Sequence, residues 1–146
     1  MKLFFLLLAA HICGDFFLYS TRISRAKRTS DVIKRLKAVF LHCFFHFILI
    51  LLWLMPYDFI FRLRAALYIS IIHFIIDFSR VHVEGFLYDK KDFIILKRKD
   101  VISYLFGNRN SESGTFMKRY LKRWIVINIA DQGLHLSVIS GFVLFI

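Results

Sequence analysis

Long apolar runs alternate with short polar stretches along this chain, and the alternation predicts membrane-spanning helices. A helix needs roughly 20 mainly apolar residues to cross a bilayer. Four runs approach that length and predict spans at residues 3–19, 38–55, 59–79 and 124–146. The stretch between the second and third spans is short and holds the one proline, so it predicts a tight turn. We therefore expect an all-α fold, a four-helix transmembrane bundle with antiparallel spans, as a single domain over residues 1–146.

The composition also favours a membrane protein over a soluble one. Hydrophobic residues make up 58% of the chain, and the mean hydropathy is +0.61. A soluble domain of 146 residues cannot bury that much apolar surface. The N-terminal run with Lys2 is similar to a signal peptide, but it carries His11 and Asp15 and has a poor cleavage pattern. We expect it to be a retained span.

Basic residues are concentrated between the predicted spans. The net charge is +11, and residues 20–37 and 80–123 hold seven and eleven of the 21 Lys and Arg residues. The positive-inside rule places both loops in the cytoplasm and both termini outside, in a multi-pass protein of the cytoplasmic (inner) membrane. We expect these loops to contact membrane lipids through their anionic headgroups. The sequence contains no nucleic-acid-binding motif, so no nucleic-acid partner is expected.

Both basic loops have patterns that predict amphipathic helices. Residues 21–39 favour a basic amphipathic helix leading into the second span, with Ser30 or Asp31 as a candidate N-cap. The segments 92–96 and 101–106 are too short to span and predict interfacial helices, while residues 107–114 predict a flexible connector. The pattern leaves open whether the loop 80–123 is a lid or a docking surface. Two cysteines, Cys13 and Cys43, fall inside apolar runs and predict packed thiols.

Each predicted span carries one pair of polar residues four positions apart, which places both side chains on one helix face. In antiparallel spans, one member of each pair falls at a common depth and the other lies about one turn, or about 6 Å, deeper. Three aspartates and one histidine form the shallow layer, and four histidines form the deep layer. The pairs are His11 and Asp15, His42 and His46, His73 and Asp77, and Asp131 and His135.

These eight side chains predict a metal site, because ionisable groups inside a bilayer cost at least a few kcal/mol each unless paired or solvated. Imidazole and carboxylate are ligands of zinc, iron and manganese, and facing helices can hold two metal ions. We predict all eight as ligands of divalent metal, as two ions, with zinc the first choice and iron or manganese as alternatives. Asp15, Asp77 and Asp131 are the candidate catalytic residues, since a free carboxylate can act as general base. Gln132 is the candidate substrate-binding residue, as a donor to a substrate oxygen.

The motifs AHICGDF, HCFFH, HFIIDFSR and ADQGLHL together resemble a family of small bacterial membrane proteins, domain of unknown function 3307. The resemblance covers all four spans and implies no established activity. More distantly, H-x3-H followed by H-x3-D is similar to the inner-membrane metal-dependent hydrolases. That similarity implies His42, His46, His73 and Asp77 as metal ligands.

The pattern favours a metal-dependent hydrolase acting on a lipid or another membrane-embedded substrate, because a metal-bound water is a nucleophile near pH 7. One alternative is a metal- or proton-coupled transporter or sensor, since Asp and His chains also line transport routes. Others are a structural subunit of a larger membrane complex and a membrane di-iron oxidative enzyme. A further alternative to metal binding is that the buried histidines form hydrogen bonds between helices. Homo-oligomerisation stays open.

Overall fold

The protein is described here by a computed structural model covering residues 1–17, 20–88, 98–107 and 112–146, and these residues form helices and no strand. A π-helical turn, Cys13–Phe17, follows the first helix. The α-helices are α1 (Lys2–Ile12), α2 (Thr21–Lys27), α3 (Val32–Trp53), α4 (Phe59–Leu87), α5 (Arg98–Leu105) and α6 (Glu112–Leu144).

Four of these helices form the expected all-α bundle. α3 packs against α1 and α4, and α6 packs against α4 and α1, so the four enclose a common axis. α3, α4 and α6 are each long and apolar enough to cross a membrane. Lys2–Phe16 meets the same test only together with α2, which lies at 88° to it. The chain is therefore a membrane protein with three spans, or four if the bent pair is counted as one.

The three long helices continue past the predicted spans toward the basic loops. α3 begins at Val32, α4 ends at Leu87 and α6 begins at Glu112. Because α6 starts there, the flexible connector predicted at 107–114 is wrong for its last three residues, and residues 108–111 lie outside the described part. The helix expected at 101–106 is confirmed as part of α5, while the one at 92–96 also lies outside the described residues.

The single helix predicted over residues 21–39 is wrong, because a turn divides it into α2 and the start of α3. Asp31 is the N-cap of α3, and its side chain accepts hydrogen bonds from the backbone N–H of Ile33 (3.0 Å) and Lys34 (3.1 Å). The hydrogen bond from the Lys34 amide is the main reason that the pKa of Asp31 is lowered. This side-chain cap competes with a continuous helix. Of the two predicted N-cap candidates, Ser30 and Asp31, the structure has Asp31.

Buried side chains form two clusters at opposite ends of the bundle. The cluster far from the basic loops is apolar and contains Leu7, Ala10, Ile50, Leu54, Ala65, Ala66, Ile69 and Ile139. The cluster near the basic loops contains Tyr88, Phe116, Met117 and Tyr120. Burial there raises the pKa of Tyr88 to about 12. On α4 and α6, the polar pairs lie between these two clusters in sequence.

Candidate metal centre

The structure brings all eight predicted ligands together on the bundle axis. Six of them are buried, and Asp15 and His42 are half-buried. Each helix contributes its pair from one face, as the spacing of four requires. Whether these residues bind metal stays a prediction, but their convergence is a property of the fold.

The four deep histidines form a ring of imidazoles. Ring centroids are separated by 5.5 Å between His11 and His46 and by 4.0 Å between His46 and His73. The ring closes through His135, at 4.1 Å from His73 and 5.0 Å from His11. Four imidazoles this close cannot all carry a proton charge, because like charges in a low-dielectric interior repel strongly. Neutral imidazole is the form that binds metal.

Asp15 is the centre of the shallow layer. Its Oδ1 lies 3.1 Å from Nε2 of His46 and 3.3 Å from Nε2 of His42, and its Oδ2 lies 3.5 Å from Nε2 of His11. Ligand atoms on a tetrahedral zinc are separated by about 3.3 Å, given zinc–nitrogen and zinc–oxygen bonds of about 2.0–2.1 Å. The separations around Asp15 therefore suit a shared divalent ion.

Gly14 makes the close approach of the first and second spans possible. It is buried in the π-helical turn, and a Cβ built on it would lie only 2.7 Å from Nδ1 of His46 and overlap the rest of that imidazole. π-Helical turns occur frequently at functional sites, and this one carries Asp15 as well. Sequence reasoning did not single out Gly14, although its position inside the HICGD motif was a usable signal.

Seven of the eight predicted ligands fall into two of the three groups of potential ligand atoms among the described residues. Within each group, all atoms lie within 4.8 Å of one another. The two groups meet where Nε2 of His42 lies 3.6 Å from Oδ2 of Asp77. Cys43, expected as a packed thiol, is buried and shares such a group with His73 and Asp77. The first group is Asp15, His42, His46 and His73, and the second is Asp77, Asp131 and His135.

Three buried atoms at the centre of the site have no hydrogen-bond partner among the described residues. They are Nε2 of His73, Nε2 of His135 and Oδ1 of Asp131. Nδ1 of His135 donates to the backbone carbonyl of Asp131 at 2.9 Å, which leaves the lone pair on Nε2. Buried polar atoms are nearly always satisfied, so these three unsatisfied atoms indicate that the site binds a ligand in both groups.

Two cationic side chains approach the carboxylates. The sequence places both in the basic loops, which are expected to contact lipid headgroups. The Lys27 ammonium donates to Oδ2 of Asp77. Arg80 donates from Nη1 to Oδ2 of Asp131 (2.6 Å) and from Nη2 to Oδ1 of Asn128 (2.9 Å). Arg80 follows Asp77 by three positions, so one helix face carries both, and that spacing was the available signal.

Glu84 connects α2 and α4 beside the site. It is buried and accepts two hydrogen bonds from Arg28, at 2.6 and 3.0 Å, and one from Arg80 at 3.1 Å. The paired bonds from one guanidinium are the geometry in which arginine binds carboxylates most strongly. Glu84 therefore holds α2 against the cytoplasmic-loop end of α4, above the carboxylate layer.

Gln132 lies between the first span and α6. Its Nε2 donates to Oδ2 of Asp15 at 3.1 Å, and its Oε1 lies 3.3 Å from Nε2 of His11. These contacts orient two candidate ligands, a role that outer residues commonly have at metal sites. Gln132 also lines the cavity above the site, and its predicted contact with a substrate oxygen stays a prediction.

A cavity of about 420 Å³ reaches the carboxylate layer from the side of the basic loops. Asp15, His42, Asp77 and Asp131 form part of its wall, and residues of α2 and α6 form the rest. On the other side of the histidine ring, the apolar cluster around Leu7, Leu54 and Ile139 fills the bundle. The site is thus open at one end and closed at the other across the residues that the structure describes.

Comparison with known sequences supports the resemblance noted above. The sequence model of the family described as "Protein of unknown function (DUF3307)" matches residues 3–146. No curated protein and no solved structure matches the chain.

Proposed function

Because the chain belongs to the DUF3307 family, whose description gives no activity, we propose a function from the site alone: a membrane metalloenzyme that hydrolyses a lipid or another membrane-embedded substrate. The proposal rests on the three unpartnered buried atoms of His73, His135 and Asp131. Divalent ions are the simplest partners for these atoms, with the imidazole nitrogen of His73 in the first group and the donors of His135 and Asp131 in the second. Two ions account for seven of the eight residues that converge on the axis, and the eighth, His11, lies 3.5 Å from Oδ2 of Asp15.

The two groups of ligand atoms define the proposed ion sites. Asp15, His42, His46 and His73 would hold the first ion. Asp77, Asp131 and His135 would hold the second, which has one protein ligand fewer. A site with three protein ligands keeps a position for water, as catalytic zinc sites do. Zinc is our first choice, and iron or manganese fits the same donors.

Asp15 is our choice for the general base. Its side chain is 17% exposed, against 9% for Asp77 and 3% for Asp131. All three carboxylates line the open cavity, and Asp15 has the greatest access to water of the three. Asp77 and Asp131 accept hydrogen bonds from Lys27 and Arg80, so one oxygen of each carboxylate is already engaged by a cationic side chain.

The closed end of the site supports an enzyme over a transporter. A transport route has to continue polar to both membrane faces, whereas the apolar cluster blocks the axis beyond the histidines. With the basic loops in the cytoplasm, as the positive-inside rule predicts, the cavity opens to the cytoplasmic side of the inner membrane. We propose that orientation for the protein.

The first test is the metal content of the protein purified without a histidine tag or chelator. We expect about two equivalents of divalent metal in the wild type and about one in His46→Ala, because removal of a buried ligand disrupts the first site and leaves the second. His82→Ala is the matched control, since His82 lies on α4 outside both ligand groups and packs on Phe86. Unchanged metal in His46→Ala would contradict the ligand set.

The second test is metal-dependent hydrolysis of extracted membrane lipids. Wild type and His82→Ala should release product, and chelator or His46→Ala should abolish it. Tightly bound iron with oxygen consumption in place of hydrolysis would overturn the hydrolase in favour of an oxidative enzyme. Metal flux across vesicles without turnover would favour transport.

A further inference from the structure

The cavity above the carboxylate layer has a cationic wall. Lys27, Arg28 and Arg80 all line it, together with the hydroxyl-bearing Ser24 and the amide of Asn128. The three cationic side chains are only 12%, 19% and 20% exposed. They are therefore part of the site, unlike the basic side chains that the sequence places in loops facing the lipid headgroups.

The charge of the site favours an anionic ligand once ions are bound. Four carboxylates, those of Asp15, Asp77, Asp131 and Glu84, face the three cationic side chains, so the protein alone contributes about one net negative charge. Two divalent ions raise the net charge to about +3. Uncompensated charge in a partly buried site is costly, and a neutral ester does nothing to offset it. A dianionic group lowers the excess to about +1.

We infer that the substrate carries a phosphate monoester as the headgroup of a membrane lipid, an inference that rests on the hydrolase proposed above. Guanidinium groups match phosphate oxygens through paired N–H donors, and an ammonium adds a compact charge. Arg80 and Lys27 already donate to carboxylates of the second ion group. A phosphate bound at those ions would lie within reach of the same donors.

The rest of the cavity wall favours a lipid over a soluble ester. Phe16, Ile23, Val81 and Trp124 add apolar surface to the cavity, and Phe16 is 71% exposed at its rim. Trp124 is at the predicted start of the last span, the level at which tryptophan commonly meets lipid headgroups. A lipid phosphate can thus enter with its tails in the bilayer.

The reaction needs no component beyond water. A water oxygen forms a bond to phosphorus while the bond from phosphorus to the lipid oxygen breaks. One proton of that water goes to the departing lipid alkoxide by way of a carboxylate, for which Asp15 is placed. The products are the lipid alcohol and inorganic phosphate, with no change in oxidation state.

The test uses zinc-loaded protein in phosphatidylcholine nanodiscs with phosphatidic acid as substrate. We expect release of inorganic phosphate, and little from glycerol 3-phosphate at equal concentration. Lys27→Met should raise KM about tenfold, the usual cost of losing a hydrogen bond to a charged group, at unchanged zinc content. Lys27→Arg should recover most of the affinity. Lys34→Met is the matched control, because the Lys34 side chain is 74% exposed and pairs only with Asp31 among the described residues.

The outcomes separate this inference from the proposed function. Zinc-dependent release of fatty acid from diacylglycerol, without phosphate from phosphatidic acid, would overturn the phosphate inference and leave a hydrolase. Equal turnover of glycerol 3-phosphate would overturn the lipid part. Binding of inorganic phosphate to wild type but not to Lys27→Met, without any hydrolysis, would support the phosphate site and contradict the hydrolase. Equal KM in Lys27→Met and wild type would remove Lys27 from the substrate contact.

Discussion

Gly14→Ala is expected to reduce bound metal to one equivalent or less, although the change adds only one methyl group. The new Cβ would overlap the imidazole of His46, which is 2% exposed and packed against three other histidines. His46 cannot retreat within that ring, because packed interiors absorb little extra volume. Either the imidazole turns away from Asp15 or α1 separates from α3. Both movements break the first ion group.

Gly133→Ala is the matched control for this substitution. Gly133 is also a helical glycine, it lies in sequence between Asp131 and His135, and a Cβ there would meet nothing within 4 Å. Alanine favours a helix over glycine by roughly 1 kcal/mol, so this variant should be slightly more stable and fully metallated. Metal analysis and thermal unfolding of Gly14→Ala and Gly133→Ala test whether the loss of metal is specific to Gly14. Full metallation of Gly14→Ala would contradict this packing argument, because the site would then accommodate the added Cβ with His46 in place.

The convergence of the eight polar residues could be predicted because it depends on two simple periodicities. A spacing of four puts His73 and Asp77 on one helix face, and antiparallel packing then brings the pairs of neighbouring helices to the same depth. Because the outer faces of the spans contact lipid, polar side chains can find partners only on the bundle axis. The ring formed by His11, His46, His73 and His135 follows from these constraints alone.

The cationic side of the site could not be predicted in the same way. Lysines and arginines at the ends of spans are ordinarily solvated or lipid-facing, and nothing in the sequence distinguishes Lys27 from Lys34. The difference arises because α2 ends at Lys27 and the Asp31 cap begins a separate helix, which lets α2 fold over the carboxylates. The π-helical turn at Gly14 likewise depends on tertiary packing, because Gly14 lies directly against the imidazole of His46 on another helix.

Because Glu84 holds α2 over the cavity, its substitution is expected to have a large effect on stability. Glu84→Leu is expected to lower the free energy of unfolding by about 3–5 kcal/mol, the usual cost of removing one partner from a buried ion pair. Arg28 loses its paired hydrogen bonds, and Arg80 loses one of its carboxylate partners. Thermal unfolding in detergent should show the loss, and amide exchange of Thr21–Lys27 should accelerate as α2 detaches. Glu112→Leu is the matched control, because Glu112 is exposed at the start of α6.

The double variant Arg28→Met with Glu84→Leu tests the origin of this loss. If the cost is the buried charge left on Arg28, removal of that charge should return a large part of the stability, and the two substitutions will be strongly non-additive. Arg80 keeps its hydrogen bond to Asp131 in both variants, so the comparison isolates the contact between α2 and α4. Equal stability of the single and double variants would mean that Glu84 acts through Arg80 instead. The metal content of the double variant should stay at the wild-type level, because neither residue belongs to an ion group.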